Sequence, residues 1–199
     1  FNKNDQSIIK TRHARDGNGL EILVYSKNTE DLFLKITNFL NNSQLDVTQA
    51  KIFTAKNNYA LDLFSVINEE NESTSYDLLF EHIDKSLKEI VNNKKSDNKL
   101  PNISRSRQAS HHHVKTDIQY TQIPNNLIEL QIITDKQTGL LSLLAHEINK
   151  CGFSITNAKI NTLGERVEDF FTLAPKKSIS SSNLQSLKTN IHEQIKSAG

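Results

Sequence analysis

The sequence predicts an α+β chain in which one small unit is used twice. Two observations carry this. The tripeptide Ala50-Lys51-Ile52 recurs as Ala158-Lys159-Ile160, and its surroundings recur in register with it. Glu21 meets Glu129, Leu32 meets Leu140, Ile36 meets Leu144, Leu40 meets Ile148, Leu45 meets Phe153, Val47 meets Ile155 and Thr54 meets Thr162. Dropping one residue then brings Asp62 onto Asp169 and Phe64 onto Phe171. Within each copy the apolar spacing also alternates between period two and helical spacing in the same order: strand, helix, strand, strand, helix. Each copy alone would bury too little apolar surface to be secure, so the two are expected to lean on each other.

The elements follow in order. Gln6 to Arg12 carries a β-like patch at Ile8 and Ile9, and Asp16-Gly17-Asn18-Gly19 is a turn signal. Glu21 to Tyr25 reads as a strand. Leu32, Phe33, Ile36, Phe39 and Leu40 form one helical face that ends near Asn41-Asn42. Leu45 to Thr54 and Tyr59 to Ile67 form a hairpin across Lys56-Asn57-Asn58. Tyr76, Leu79, Phe80, Ile83, Leu87 and Ile90 make a second amphipathic helix. The second copy has a strand at Leu127 to Ile133 and a helix face at Leu140, Leu141, Leu144, Ala145 and Ile148. A hairpin over Phe153 to Thr162 and Val167 to Leu173 turns around Gly164, and a last helix carries Leu184, Leu187, Ile191 and Ile195. Val114, Thr116, Ile118 and Tyr120 form a further strand, which either closes the first sheet or extends the second.

In both hairpins the first strand breaks period two. Leu45 and Val47 are followed by Ala50 and Ile52, and Phe153 and Ile155 by Ala158 and Ile160. The three-residue step predicts a β-bulge or bent entry in each copy. With a closing strand, each unit matches the ferredoxin-like βαββαβ plan: an antiparallel sheet with its helices on one face. Residues 1–19 are read as a leading strand and turn, 20–92 as the first unit, 93–113 as a polar linker and 114–199 as the second unit.

Composition narrows the function. Lys plus Arg number 24 against 23 Asp plus Glu, which supplies no field for gripping nucleic acid or an anionic membrane. No apolar run reaches the roughly 18–20 residues that span a bilayer. The one cysteine, Cys151, allows no internal disulfide, fits a reducing cytoplasmic setting, and suits a small apolar role better than a reactive thiol. The chain has no methionine, and the expectation is a piece of a longer protein.

The best candidate site is the loop between the first strand and first helix of each copy. In the second copy it reads Thr134-Asp135-Lys136-Gln137-Thr138-Gly139-Leu140, followed by Leu141. The first backbone N–H groups of a helix lack partners and suit a carboxylate. Gly139 lets a ligand approach the backbone closely, and Asp135 can accept an ammonium group. An amino-acid pocket is therefore permitted. The plainer alternative is a strand–helix turn capped by Asp135 or Thr138. In the first copy the loop is Ser26-Lys27-Asn28-Thr29-Glu30-Asp31-Leu32, with Asp31 at the place of Gly139. Its two acids would repel a carboxylate, so this loop is expected to be the weaker or purely structural one.

With these residues in view, the chain resembles the tandem ACT domains at the C-terminus of the bacterial bifunctional uridylyltransferase/uridylyl-removing enzyme. The most specific stretch is Ala158-Lys159-Ile160-Asn161-Thr162-Leu163-Gly164-Glu165-Arg166-Val167-Glu168-Asp169-Phe170-Phe171. Ala50 to Thr54 and Ala60 to Phe64 resemble the first such unit, and Gly139-Leu140-Leu141 resembles the opening of the ACT ligand loop. The likeness runs from about Leu20 to about Leu173. It departs where Thr138 replaces the usual proline, where Asp135 sits one place early, where the first copy lacks the glycine, and where Asp46 and Ser154 replace a usual asparagine. The resemblance implies an allosteric region that senses glutamine and controls nitrogen assimilation. The ligand would lie near the second loop, against a strand of a neighbouring unit, and Asp46, Val47, Ser154 and Ile155 are counted among its candidate contacts. ACT–ACT pairing within or between chains is implied too. Catalysis on the PII protein, and any Mg, belong to domains absent from this sequence.

No paired-aspartate nucleotidyl-transfer motif and no His-Asp doublet is present, so no catalytic residue is expected here. His111-His112-His113 suits the entry to a strand better than a metal site, because successive strand side chains point to opposite faces. Glu165, Arg166, Glu168 and Asp169 flank a turn, where a structural or interdomain bridge through Arg166 is the simpler reading. Ser104-Arg105-Ser106-Arg107 fits a solvated linker. RNA-recognition modules share the βαββαβ plan but need basic and aromatic residues together on a central strand, and Tyr59 to Ser65 carries an acid and no base. A stand-alone ACT tandem that only dimerises is the remaining alternative.

Overall fold

The computed structural model describes residues 7–15, 17–29, 31–55, 57–68, 76–93, 104–105, 114–177 and 181–197. The first copy comprises β1 (Ile8–His13), β2 (Leu20–Lys27), α1 (Leu32–Asn42), β3 (Asp46–Thr54), β4 (Tyr59–Ile67) and α2 (Tyr76–Asn92). After the short β5 (Ser104–Arg105), the second copy comprises β6 (Asp117–Ile123), β7 (Leu127–Asp135), the short β8 (Gln137–Thr138), α3 (Leu140–Lys150), β9 (Phe153–Leu163), β10 (Arg166–Pro175) and α4 (Ser181–Ser197).

Eight strands form one antiparallel sheet in the order β1-β2-β4-β3-β9-β10-β7-β6. The order is a palindrome of the two copies. In each unit the fourth strand comes from the segment ahead of the first strand. β1 pairs β2 across the Gly17–Gly19 turn, and β6 pairs β7. The strand read at 114–120 is β6, shifted to Asp117–Ile123, and it extends the second unit's part of the sheet.

The units meet through β3 and β9, with Gln49 opposite Asn161, Lys51 opposite Lys159 and Phe53 opposite Asn157. The repeated tripeptide therefore pairs with itself about a local two-fold axis. One sheet face is covered: Ala60, Phe64 and Val66 of β4 and Val167, Phe171 and Leu173 of β10 are buried beneath the helices. Phe53, Leu61 and Phe170, of opposite parity, are exposed on the other face. Helices α1 and α3 pack together, and Ser142 Oγ donates to Asn38 Oδ1 between them. Phe33 of α1 meets Phe64 of its own unit at 6.2 Å between ring centroids and Phe171 of the other, edge-on, at 6.5 Å. One core thus runs through both units.

The period break predicted in each hairpin is a bulge. Pairing skips Thr48 in β3 and Thr156 in β9. Each bulged threonine donates its hydroxyl to a carbonyl on the partner strand, Thr48 to Ser65 O at 3.2 Å and Thr156 to Thr172 O at 3.0 Å. The bulge re-aims residues 46–47 and 154–155, which border the site described next.

Candidate functional site

Two cavities flank the β3–β9 junction, and they are lined by equivalent positions of the repeat. The first lies between the β2–α1 loop and the start of β9, with walls that include Asn28, Asp31, Leu34, Ile52, Ala60, Asp62, Ser154 and Ile155. The second lies between the β7–α3 loop and the start of β3, with Lys136, Gly139, Ser142, Ile160, Val167, Asp169, Asp46 and Val47 in the same places. Their volumes differ: about 400 Å³ for the first and about 50 Å³ for the second. Small-molecule sites usually measure ≈ 300–1,000 Å³, so only the first has room for a guest.

The side chains explain the difference. In the second cavity Lys136 Nζ lies 3.2 Å from Asp46 Oδ2, an ion pair that crosses the junction. Gln137 is buried beside it, and Val167 fills the wall. The first cavity has Asn28, Thr29, Ser154 and Ala60 at those four positions. Shorter side chains, and no ion pair at those four positions, leave it open. The asymmetry runs opposite to the one read from the loop sequences.

The mouth of the first cavity carries both charges. Asp31, in the left-handed region at φ 66, does not cap its own helix. Its Oδ1 instead accepts from Asn149 Nδ2 and lies 3.4 Å from Lys176 Nζ. Lys176 also donates to Asn149 Oδ1 at 2.8 Å. The repulsion expected from Asp31 is therefore offset by a cation from the other unit. Asp62 lies at the inner wall, 1% exposed. Burial pushes its carboxyl up to about 7, against a weaker pull downward from the Phe53 backbone N–H. Asp169 matches it in the second cavity, pushed up to about 8 by burial with the Asn161 backbone N–H opposing. Each carboxylate has one buried oxygen, Oδ1, without a hydrogen-bond partner.

Asn28, Asp31, Ser154 and Ile155 line the first cavity, and Asp46, Val47, Lys136, Gln137, Gly139, Leu140 and Leu141 line the second. Thr134, Asp135 and Thr138 line neither. Thr134 shares a 2.8 Å hydroxyl contact with Thr116, and Asp135 Oδ1 accepts the Val114 N–H at 2.6 Å, so the approach to β6 occupies both. Thr138 pairs with Ser104 in the small β5–β8 sheet. Helix α3 is capped by Gly139 at φ 78 with no side-chain bond, so neither Asp135 nor Thr138 caps it. Asp62, Ala60, Asn149 and Lys176 were missed from the sequence. The available signal was an acid at the buried parity of an apolar strand, present at the same place in both copies.

The remaining candidates are local. Arg166 bridges Glu168 at 2.6 Å, within its own strand. The Cys151 thiol is pushed up by burial and by Glu147, which disfavours a thiolate. His111, His112 and His113 lie outside the described residues, as do Glu30, Ser106 and Arg107. Among the described residues no group of three or more His, Cys, Asp or Glu is placed to hold a metal ion, and no helix is long and apolar enough to cross a membrane.

A bifunctional uridylyltransferase/uridylyl-removing enzyme of Nitrosospira multiformis is 33% identical over 173 residues, which is 85% of this chain and 19% of that protein. Its counterpart in Legionella pneumophila (strain Lens) is 30% identical over 171 residues, covering 84% of the chain and 19% of the enzyme. That of Pasteurella multocida is 25% identical over 193 residues, covering 94% and 22%. The chain is a homologue of one region of the bifunctional uridylyltransferase/uridylyl-removing enzymes. It spans about a fifth of the length of the curated relatives it matches. No family model matches the chain, and no solved structure does. The matches to the uridylyltransferase/uridylyl-removing enzymes cover 84–94% of the chain.

Proposed function

We propose that this chain is the amino-acid-sensing regulatory region of a bifunctional uridylyltransferase/uridylyl-removing enzyme, with glutamine as its effector. The observation that carries this reading is the cavity of about 400 Å³ at the junction of the two units. Its mouth presents Lys176 and the start of α1 to a carboxylate, and Asp31 to an ammonium group. Its walls come from both units, so a bound amino acid favours one relative placement of them. A ligand shifts such an equilibrium only by its difference in affinity for the two placements. The shift passes to catalytic domains outside this sequence, inhibiting uridylyl addition to the PII protein and favouring its removal, in the cytoplasm. The chain does no bond chemistry itself and contacts neither nucleic acid nor membrane. A stand-alone tandem has less support, because the relatives it matches are bifunctional enzymes.

Calorimetry of the chain with glutamine, glutamate and other amino acids tests this. Glutamine is expected to bind with one site per chain. Ala60→Leu, which fills the first cavity, should weaken it more than tenfold, while Gly139→Ala in the second cavity leaves it within twofold. The reverse ranking would move the site to the second loop, and no binding of any amino acid would end the proposal.

A further inference from the structure

Asp62 Oδ1 is a polar group that none of the contacts in the first cavity uses. It is buried and has no hydrogen-bond partner, and its residue lines a space large enough for a guest. A buried acceptor left without a donor costs free energy, more so when it is charged. The side chains beside it in register, Val24 of β2 and Ile52 of β3, carry no donor, and the Phe53 backbone N–H that reaches the carboxyl leaves Oδ1 unpartnered. The nearby walls at Leu34 and Ala60 are apolar. The other charged residues lining the cavity are Asp31 and Lys176, and these engage each other and Asn149 at the mouth.

The cavity therefore has a charged pair of both signs outside and, inside, a carboxyl with one oxygen unpartnered. That layout fits a molecule with a zwitterionic head and an N–H donor at its far end. We propose that Asp62 sets the specificity of this site, its unpartnered Oδ1 accepting an N–H from a side-chain carboxamide of the ligand. This deepens the reading of the first cavity as an amino-acid site and rests on it. A ligand that ends in a carboxylate offers no donor and brings a second negative charge to the same buried place. An ionised carboxylate is an acceptor only, so the amide is chosen over the acid. A protonated Asp62 can donate to a carboxylate, so the choice weakens as pH falls below about 7. Asp169 has the same buried oxygen but faces about 50 Å³, too little for such a ligand.

The test is titration calorimetry of the 199-residue chain with L-glutamine and L-glutamate at pH 6 and pH 8. Glutamine is expected to bind at least tenfold tighter than glutamate at pH 8, with the gap narrowing at pH 6. Asp62→Asn, which can both donate and accept, should shrink the pH 8 gap to under threefold and remove its pH dependence. Asp169→Asn should change neither. A gap that survives Asp62→Asn, or falls equally in both variants, overturns the role of Asp62 while leaving the cavity as a site. A chain that binds neither amino acid overturns the site as well. Carbon NMR of the unsubstituted chain gives a readout independent of any variant's folding. The Asp62 carboxyl should titrate at lower pH when glutamine is bound, and an unmoved midpoint refutes the contact.

Discussion

Asp62 and Asp169 tie the stability of the chain to pH. Both carboxyls are raised by burial, to about 7 and about 8, from an ordinary value near 3.8. Below that ordinary value both the folded and the unfolded chain hold these protons. Between there and the raised values only the folded chain does, so stability falls as pH rises, by about 1.4 kcal/mol per pH unit for each group. Above about pH 8 the dependence from these two groups is flat. Urea denaturation of Asp169→Asn between pH 4 and pH 9 should show a shallower fall than the parent chain. A parallel pair of curves would mean that Asp169 is not protonated when folded. At this scale the sequence was least legible. The two loops could be located from the repeat, but ranking them required knowing that Gln137 and Val167 point inward and that Lys136 reaches Asp46 across the junction. Lys176 follows β10 with no motif around it, and its meeting with Asp31 exists only in three dimensions.

Among the elements, the repeat acts as its own control. Gln44 and Gly152 occupy the same place after α1 and α3, and both are left-handed, at φ 55 and φ 86. A residue with a side chain pays a steric penalty there that glycine avoids. Gln44→Gly should therefore stabilise the chain by about 0.5–1 kcal/mol, read from the urea midpoint. Gly19 predicts the opposite sign. At φ 87 it sits so close to β4 that an added Cβ would lie 2.2 Å from Val66 O. Gly19→Ala should cost about 2 kcal/mol or more, because backbone must move. The helices, hairpins and bulges were legible because each leaves a spacing in the sequence: four apolar faces at helical period, and a three-residue step at Thr48 and Thr156. The partner of the 114–120 strand was not, since its alternation states one buried face and says nothing about which neighbour provides the hydrogen bonds. β7 provides them.

For the whole molecule, the centre of the sheet contains a like-charge pair. Lys51 and Lys159 face each other across the β3–β9 junction, and such pairs oppose association. Lys51→Glu alone, or Lys159→Glu alone, should raise stability by about 0.5 kcal/mol, and the double substitution should lose the gain. Additive gains would show that the two lysines do not sense each other. The cavities allow a larger test. Clearing the second, by Asp46→Ser, Lys136→Asn, Gln137→Thr and Val167→Ala together, should open it toward the volume of the first, read from a crystal structure of the variant.

A homodimer with this palindromic sheet would be bound to make its two clefts alike, because one gene would write both. Here each half is written separately, so mutation could bolt one cleft shut with Lys136 and Asp46 and leave the other open. Duplication within a single chain thus let one cleft become a fastener while its twin kept its volume.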